Sequence, residues 1–258
     1  MHRLWRLPAT FVAFASFGIG GVLLWLVVFP ALNLLVREPG KRVPRARAAI
    51  HWLFKAFITW MRLLSLISYE IHGAERLQRQ GLLILANHPT LIDVVFLISL
   101  VRNADCVVKS TLAEHPCTRG PVRATGYICN NSGSELLQAC IDSVAAAGNL
   151  IIFPEGTRTR PGQPLKMQRG AAQIATRGLL DITPVTFNVE PLGLFKGQPW
   201  WQVADRPLHF TVTVGEDIAV APFLQASQGE SALAARRLTD YLIDYFTKSK
   251  GSYASAGN

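Results

Sequence analysis

The spacing of hydrophobic positions changes along the chain. From Leu7 to Val36 no residue is charged, and Phe11 to Phe29 is Phe, Val, Leu, Ala, Gly and Ile with one Trp and one Ser. At about 1.5 Å per residue such a helix is long enough for a hydrocarbon layer of about 30 Å. It exceeds the roughly 7–15 apolar residues of a signal-peptide core. Gly18, Gly20 and Gly21 stand mid-segment and Pro30 near its end. The glycines permit either close helix packing or a break that lets the segment dip in and return. Ala48 to Ile67 is also apolar but carries His51, Lys55 and Arg62, which suits a helix lying at an interface. Between the two, Arg37–Arg47 holds Pro39-Gly40 and Pro44 and reads as a basic turn.

From about Leu66 strands and helices alternate. Leu82–Ala86 and Leu150–Phe153 are short apolar runs, the pattern of strands buried on both faces. Cys106–Lys109, Thr183–Val189 and His209–Val214 read as further strands. Thr90–Val101 is apolar at helical spacing. Ser132 with Glu135 forms a capping box for a helix whose stripe is Leu136, Leu137, Cys140, Ile141 and Val144, closed by Gly148. Gly170–Arg177 and Ser231–Lys248 are predicted helices, the second amphipathic. Such alternation predicts an α/β fold. The expected organisation is a helical anchor over residues 1–65, a catalytic domain over 66–248 and a loose tail over 249–258.

Charge adds a location. Lys plus Arg is 26 against 17 Asp plus Glu, but residues 1–62 hold nine basic residues and only Glu38 as an acid. The other 196 residues are nearly balanced. A nucleic-acid-binding domain carries its basic surface on its working fold. Here the excess sits on the apolar N-terminus, which points to anionic lipid and not to nucleic acid. The basic turn predicts a cytoplasmic membrane location with the catalytic domain on the cytoplasmic face. Cys106, Cys117, Cys129 and Cys140 form no Cys-x2-Cys pair, and no His stands at zinc spacing. They read as buried reduced thiols, and no metal site or cofactor is expected.

Two polar segments directly follow buried strands, where α/β sheets build their sites. The first is Asn87-His88-Pro89-Thr90-Leu91-Ile92-Asp93. Pro89 disfavours a helical backbone at His88. A helix starting near Thr90 would bring Asp93 back to the strand end, where it can fix the imidazole tautomer and leave the other nitrogen as a base. Asp93 read as a mere first-turn acid is the structural alternative. The second segment is Phe153-Pro154-Glu155-Gly156-Thr157-Arg158. Gly156 permits a tight turn and Arg158 can clamp a phosphate or carboxylate. Glu155 can bond a hydroxyl or hold Arg158. No Gly-x-Ser-x-Gly, Gly-x4-Gly-Lys-Ser/Thr or Gly-x-Gly-x-x-Gly occurs, so serine-elbow and nucleotide-loop chemistry have no candidate. A base without a protein nucleophile suggests direct attack by a substrate hydroxyl or amine.

These two segments, in this order, resemble the His-x4-Asp and Phe-Pro-Glu-Gly-Thr-Arg motifs of the lysophospholipid acyltransferase (PlsC-like) family. Lys109, Arg169-Gly170 and Thr183-Pro184-Val185 resemble its weaker blocks, and the likeness runs over about residues 66–215. The resemblance implies a glycerol-3-phosphate-acyltransferase-like sheet surrounded by helices behind a membrane-embedded helical segment. It implies a fatty acyl thioester of coenzyme A or acyl carrier protein as donor and a lipid hydroxyl as acceptor. His88 would be the general base and Asp93 its orienter. Glu155, Gly156, Thr157 and Arg158 would hold the acceptor's glycerol phosphate, with Asn87, Lys109 and Arg169 also counted in the binding site. One stretch departs from the family. Gly126-Tyr127-Ile128-Cys129-Asn130-Asn131 has asparagines where a second Arg is common. That sets a lyso-aminolipid, or a hydroxyl on another lipid-like product, beside lysophosphatidate as acceptor. A thioesterase or lipid hydrolase using the same pair on water is the competing activity.

Overall fold

The computed structural model describes residues 2–114, 118–130, 133–160 and 162–254. Cys117, Asn131 and the Ser132 end of the predicted capping box lie outside them, as do residues 255–258.

Helix α1 (His2–Leu23) passes through a π-helical turn (Leu24–Val28) into α2 (Phe29–Leu35). No break occurs at the glycines, and Gly20 packs against Leu53. The basic turn is shorter than its sequence suggested. α3 (Arg42–Leu63) begins inside it, because Pro44 falls in the first helical turn, where a missing N–H costs nothing. Trp5–Leu35 is the one helix among the described residues long and apolar enough to cross a membrane, yet it lies along the domain. At its start the Arg6 guanidinium donates to the Ala204 carbonyl (3.1 Å). Ala9 and Ala13 are buried, Phe17 stacks on Phe54, and Phe29 and Val36 are buried near the far end. Arg119 lies over the Trp25 ring.

The strands are β1 (Ile67–His72), β2 (Leu83–Ala86), β3 (Ala104–Val108), β4 (Ile128–Cys129), β5 (Asn149–Ile152), β6 (Ile182–Glu190) and β7 (Leu208–Val214). They form one sheet in the order β1-β7-β6-β2-β5-β3-β4, parallel except for the β6–β7 pair. Side chains alternate between two cores. Leu82, Ile84, Ala86 and Ile151 join the layer of α1, α3 and α4 (Asp93–Leu100). Leu83, Leu85, Leu150 and Ile152 face α7 (Gly133–Ala145), α8 (Gly170–Gly178) and α10 (Ser231–Ala254). α10 continues six residues beyond Lys248, so most of the expected tail is its last turns. Three short helices, α5 (Ser110–Glu114), α6 (Arg119–Thr125) and α9 (Ala221–Ala226), complete the fold.

Two N-terminal cations face inward rather than toward lipid. Arg6 is one. Arg47 on α3 pairs with Asp105 of β3 at 2.6 Å, both nearly buried, and donates through Nε to the Thr125 carbonyl. Ser143 donates to the same Asp105 carboxylate. Cys106 and Cys140 are buried, and desolvation, with the neighbouring Asp105 charge, pushes both thiols up to about 12. They are inert packing groups, as expected.

Candidate active site

The parallel register Leu85↔Ile152 carries β2 and β5 to the same edge of the sheet. Asn87 follows β2 there, Phe153 follows β5, and exposed Lys109 follows β3. Asn87 is 1% exposed and extends the β2–β6 ladder with its side chain. Its amide donates to the Phe187 carbonyl (2.8 Å) and accepts from the Phe187 N–H (2.7 Å). Both ends are thus engaged inside the protein. It holds the start of the His88 loop.

His88 Nδ1 lies 2.9 Å from Asp93 Oδ2. Asp93 is the first residue of α4, three residues later than the predicted helix start, and is fully buried. It also accepts from the Thr90 N–H (2.6 Å) and hydroxyl. Burial raises the Asp93 carboxyl above its ordinary range, and the hydrogen bonds from His88 and Thr90 work against that rise. With three donors converging on two oxygens the carboxylate acts only as an acceptor. In that arrangement His88 Nδ1 donates to Asp93, and Nε2 is the ring nitrogen left outside the pair. The His88 side chain is 16% exposed and its ring packs 4.6 Å from Phe153.

The second motif is fastened to the first. The buried Glu155 carboxylate accepts from the His88 N–H (2.8 Å) and from the Thr159 hydroxyl. The Thr159 N–H donates back to the His88 carbonyl (3.3 Å). Gly156 turns the chain at φ +68°, a conformation that favours glycine. Thr157 and Arg158 are half-buried. Arg158 Nη1 donates to the Leu194 carbonyl (3.0 Å), which also accepts from the Leu91 N–H (3.0 Å). One guanidinium edge remains for an anion, with no acidic partner among the described residues. Arg169 is exposed at the start of α8, and its neighbour Gln168 donates to the Pro154 carbonyl (2.7 Å), so α8 begins beside this loop. Asn130 accepts the Ser110 N–H through its side chain (3.2 Å) and so holds the start of α5. A largely apolar cavity bounded by Ala13, Phe57, Met61, Ile92, Leu194 and Trp200 adjoins the first motif at Ile92, and Leu194, whose carbonyl Arg158 bonds, also lines it.

Thr90 and Leu194 escaped the sequence reading. Thr90-x-x-Asp93 has the spacing of a capping box and signals the reach-back of Asp93. Nothing local marks the Leu194 carbonyl, which arrives from a loop a hundred residues away.

Residues 68–188 match the acyltransferase family model. The segment that carries both motifs thus resembles that family. It is 32% identical over 130 residues to a 1-acyl-sn-glycerol-3-phosphate acyltransferase of Helicobacter pylori, covering 45% of this chain and 55% of that one. It is 26% identical over 153 residues to a protein of the same name from Pseudomonas aeruginosa, covering 56% of each. The chain thus spans about half the length of the curated relatives it matches. The crystal structure of the 1-acyl-sn-glycerophosphate acyltransferase PlsC from Thermotoga maritima superimposes with a TM-score of 0.73 over 98% of both chains. At 18% identity that likeness concerns the fold. The α/β acyltransferase architecture expected from the two motifs is the one observed.

Proposed function

We propose that this protein is a membrane-bound acyltransferase that esterifies 1-acylglycerol 3-phosphate, or a close lysophospholipid, with a fatty acyl group from a coenzyme A or acyl-carrier-protein thioester. The observation that carries this reading is the buried Asp93 bonded to His88 Nδ1 at the sheet's carboxyl edge. The imidazole lone pair on Nε2 takes the proton of the acceptor hydroxyl as its oxygen attacks the thioester carbonyl carbon. The tetrahedral adduct collapses with cleavage of the carbon–sulfur bond. The departing thiolate recovers the proton from the imidazolium, whose charge Asp93 balances. Arg158 holds the acceptor phosphate, with exposed Lys109 and Arg169 as further cations on that edge. The apolar cavity beside Ile92 accepts a hydrocarbon chain.

The names of the relatives favour a phosphate-bearing acceptor. The asparagine departure counts against it less than the sequence alone suggested, since Asn130 is engaged in holding α5. Membrane attachment is supported by the exposed apolar faces of α1, the π-helical turn and α3, where Phe11, Ile19, Leu26, Trp52 and Leu63 meet solvent. Purified enzyme assayed side by side with lysophosphatidate, a lyso-aminolipid and no acceptor tests the reading. Preferred turnover of lysophosphatidate supports it. Preferred use of the lyso-aminolipid replaces the acceptor, and thioester hydrolysis at the same rate without acceptor defeats acyl transfer.

A further inference from the structure

On the opposite edge of the sheet from His88, α3 and α4 enclose a cleft of about 200 Å³ with β1 and the approach to β2. That is well above the roughly 10–15 Å³ that one water requires. Its polar lining is His51, Lys55, Thr59, Gln78, Ser99 and Arg102, with no carboxylate among the described lining residues. Lys55 and Arg102 are exposed, and neither has an acidic partner among the described residues. His51 is buried, and its Nδ1 faces the carbonyls of Ile98 (2.9 Å) and Val101 (3.0 Å). Carbonyls only accept, so Nδ1 carries a proton and Nε2 is left for the cleft side. His51, Lys55 and Thr59 fall at successive turns of α3 and line one face. The cleft opens beside Trp52, which is 61% exposed and carries Lys55 over its ring. A tryptophan and a lysine together mark the level where hydrocarbon gives way to headgroups.

We propose that this cleft binds the headgroup phosphate of an anionic phospholipid, at a site separate from the catalytic one. Lys55 and Arg102 supply the opposing charges, and Gln78 supplies a neutral donor; the Thr59 hydroxyl donates to the Lys55 carbonyl (2.9 Å). The inference rests on the membrane-facing reading of α1 and α3 and is independent of the acyl-transfer chemistry. Full-length protein in neutral detergent micelles is titrated with short-chain phosphatidylglycerol, short-chain phosphatidylcholine or inorganic phosphate, and bound species are counted by native mass spectrometry. Saturable phosphatidylglycerol binding is expected, with phosphatidylcholine and inorganic phosphate at least tenfold weaker. Lys55→Ala/Arg102→Ala should weaken it at least tenfold. Lys55→Arg and the exposed control Arg177→Ala should each leave it unchanged. The proposal is overturned if the double variant binds within twofold of the native protein or if phosphatidylcholine binds as well. Equal binding of inorganic phosphate overturns the lipid assignment. Extraction of the protein from membranes is a separate measurement, so failure of the anchor and failure of the cleft are distinguishable.

Discussion

His88 and Asp93 were legible as a pair because a five-residue spacing across Pro89 and a helix start leaves few other conformations. The role of Glu155 was not, since its partners include a backbone N–H and Thr159, which no pattern of types announces. On the proposed mechanism, His88→Ala should lower the acyl-transfer rate by about 10²–10⁴ while thermal unfolding is little changed. Retention of more than half the activity would sink the base assignment. Thr90→Val removes one donor from Asp93 without touching the imidazole. It should lower kcat by a smaller factor, leave KM for the donor unchanged and shift the pH–rate profile. An unshifted profile would make Thr90 merely structural. Away from the site, Asp217 accepts a bidentate bond from Arg79 (2.6 and 2.9 Å) and one from Thr183 (2.7 Å). The Arg79 bond first, then Thr183, holds its carboxyl below the ordinary range. A depressed carboxyl stabilises the fold above the unfolded value of about 3.9 and loses that contribution as pH falls through the lowered one. The pair is partly exposed, so its worth is under about 1 kcal/mol. Asp217→Asn should therefore lower the unfolding midpoint slightly at pH 7 and converge with the native protein near pH 2.

At the scale of elements, the fully buried β2 and β5 were readable because parallel central strands are apolar on both faces. β1 (Ile-Ser-Tyr-Glu-Ile-His) and the two-residue β4 were not, being short sheet-edge strands with mixed patterns. α3 was misread at its start because its first turn carries charges and a proline that composition assigns to a loop. The surprise in α3 is Arg47, which a count of N-terminal cations assigns to lipid and the fold assigns to Asp105. Breaking a buried pair on one side leaves an uncompensated charge, at about 3–5 kcal/mol. Arg47→Met and Asp105→Leu should each lower the thermal midpoint sharply, and the double variant should recover much of the loss. Additive losses in that cycle, followed by thermal unfolding in detergent, would show that the two side chains do not act as a unit.

For the whole molecule, the hydrophobic stretch predicted an anchor, and its length alone permitted a crossing. What the length could not reveal is that this helical run touches the α/β domain at Arg6 of α1 and again at Trp25 of the π-helical turn and Phe29 of α2. Attachment through buried apolar area is not screened by ions. The full-length protein should stay with membranes in 1 M salt, and its appearance in the soluble fraction would show a charge-only attachment. On the proposed membrane attachment, a helical run fastened at both ends has no length left over to carry the chain to the far side. The catalytic edge then keeps a fixed height over one lipid layer. If the acceptor is the proposed lysophospholipid, it enters and its product leaves through that same layer, so each turnover would add hydrocarbon to one half of the bilayer only. Unless another protein moves lipid across, sustained synthesis expands one layer against the other and bends the membrane.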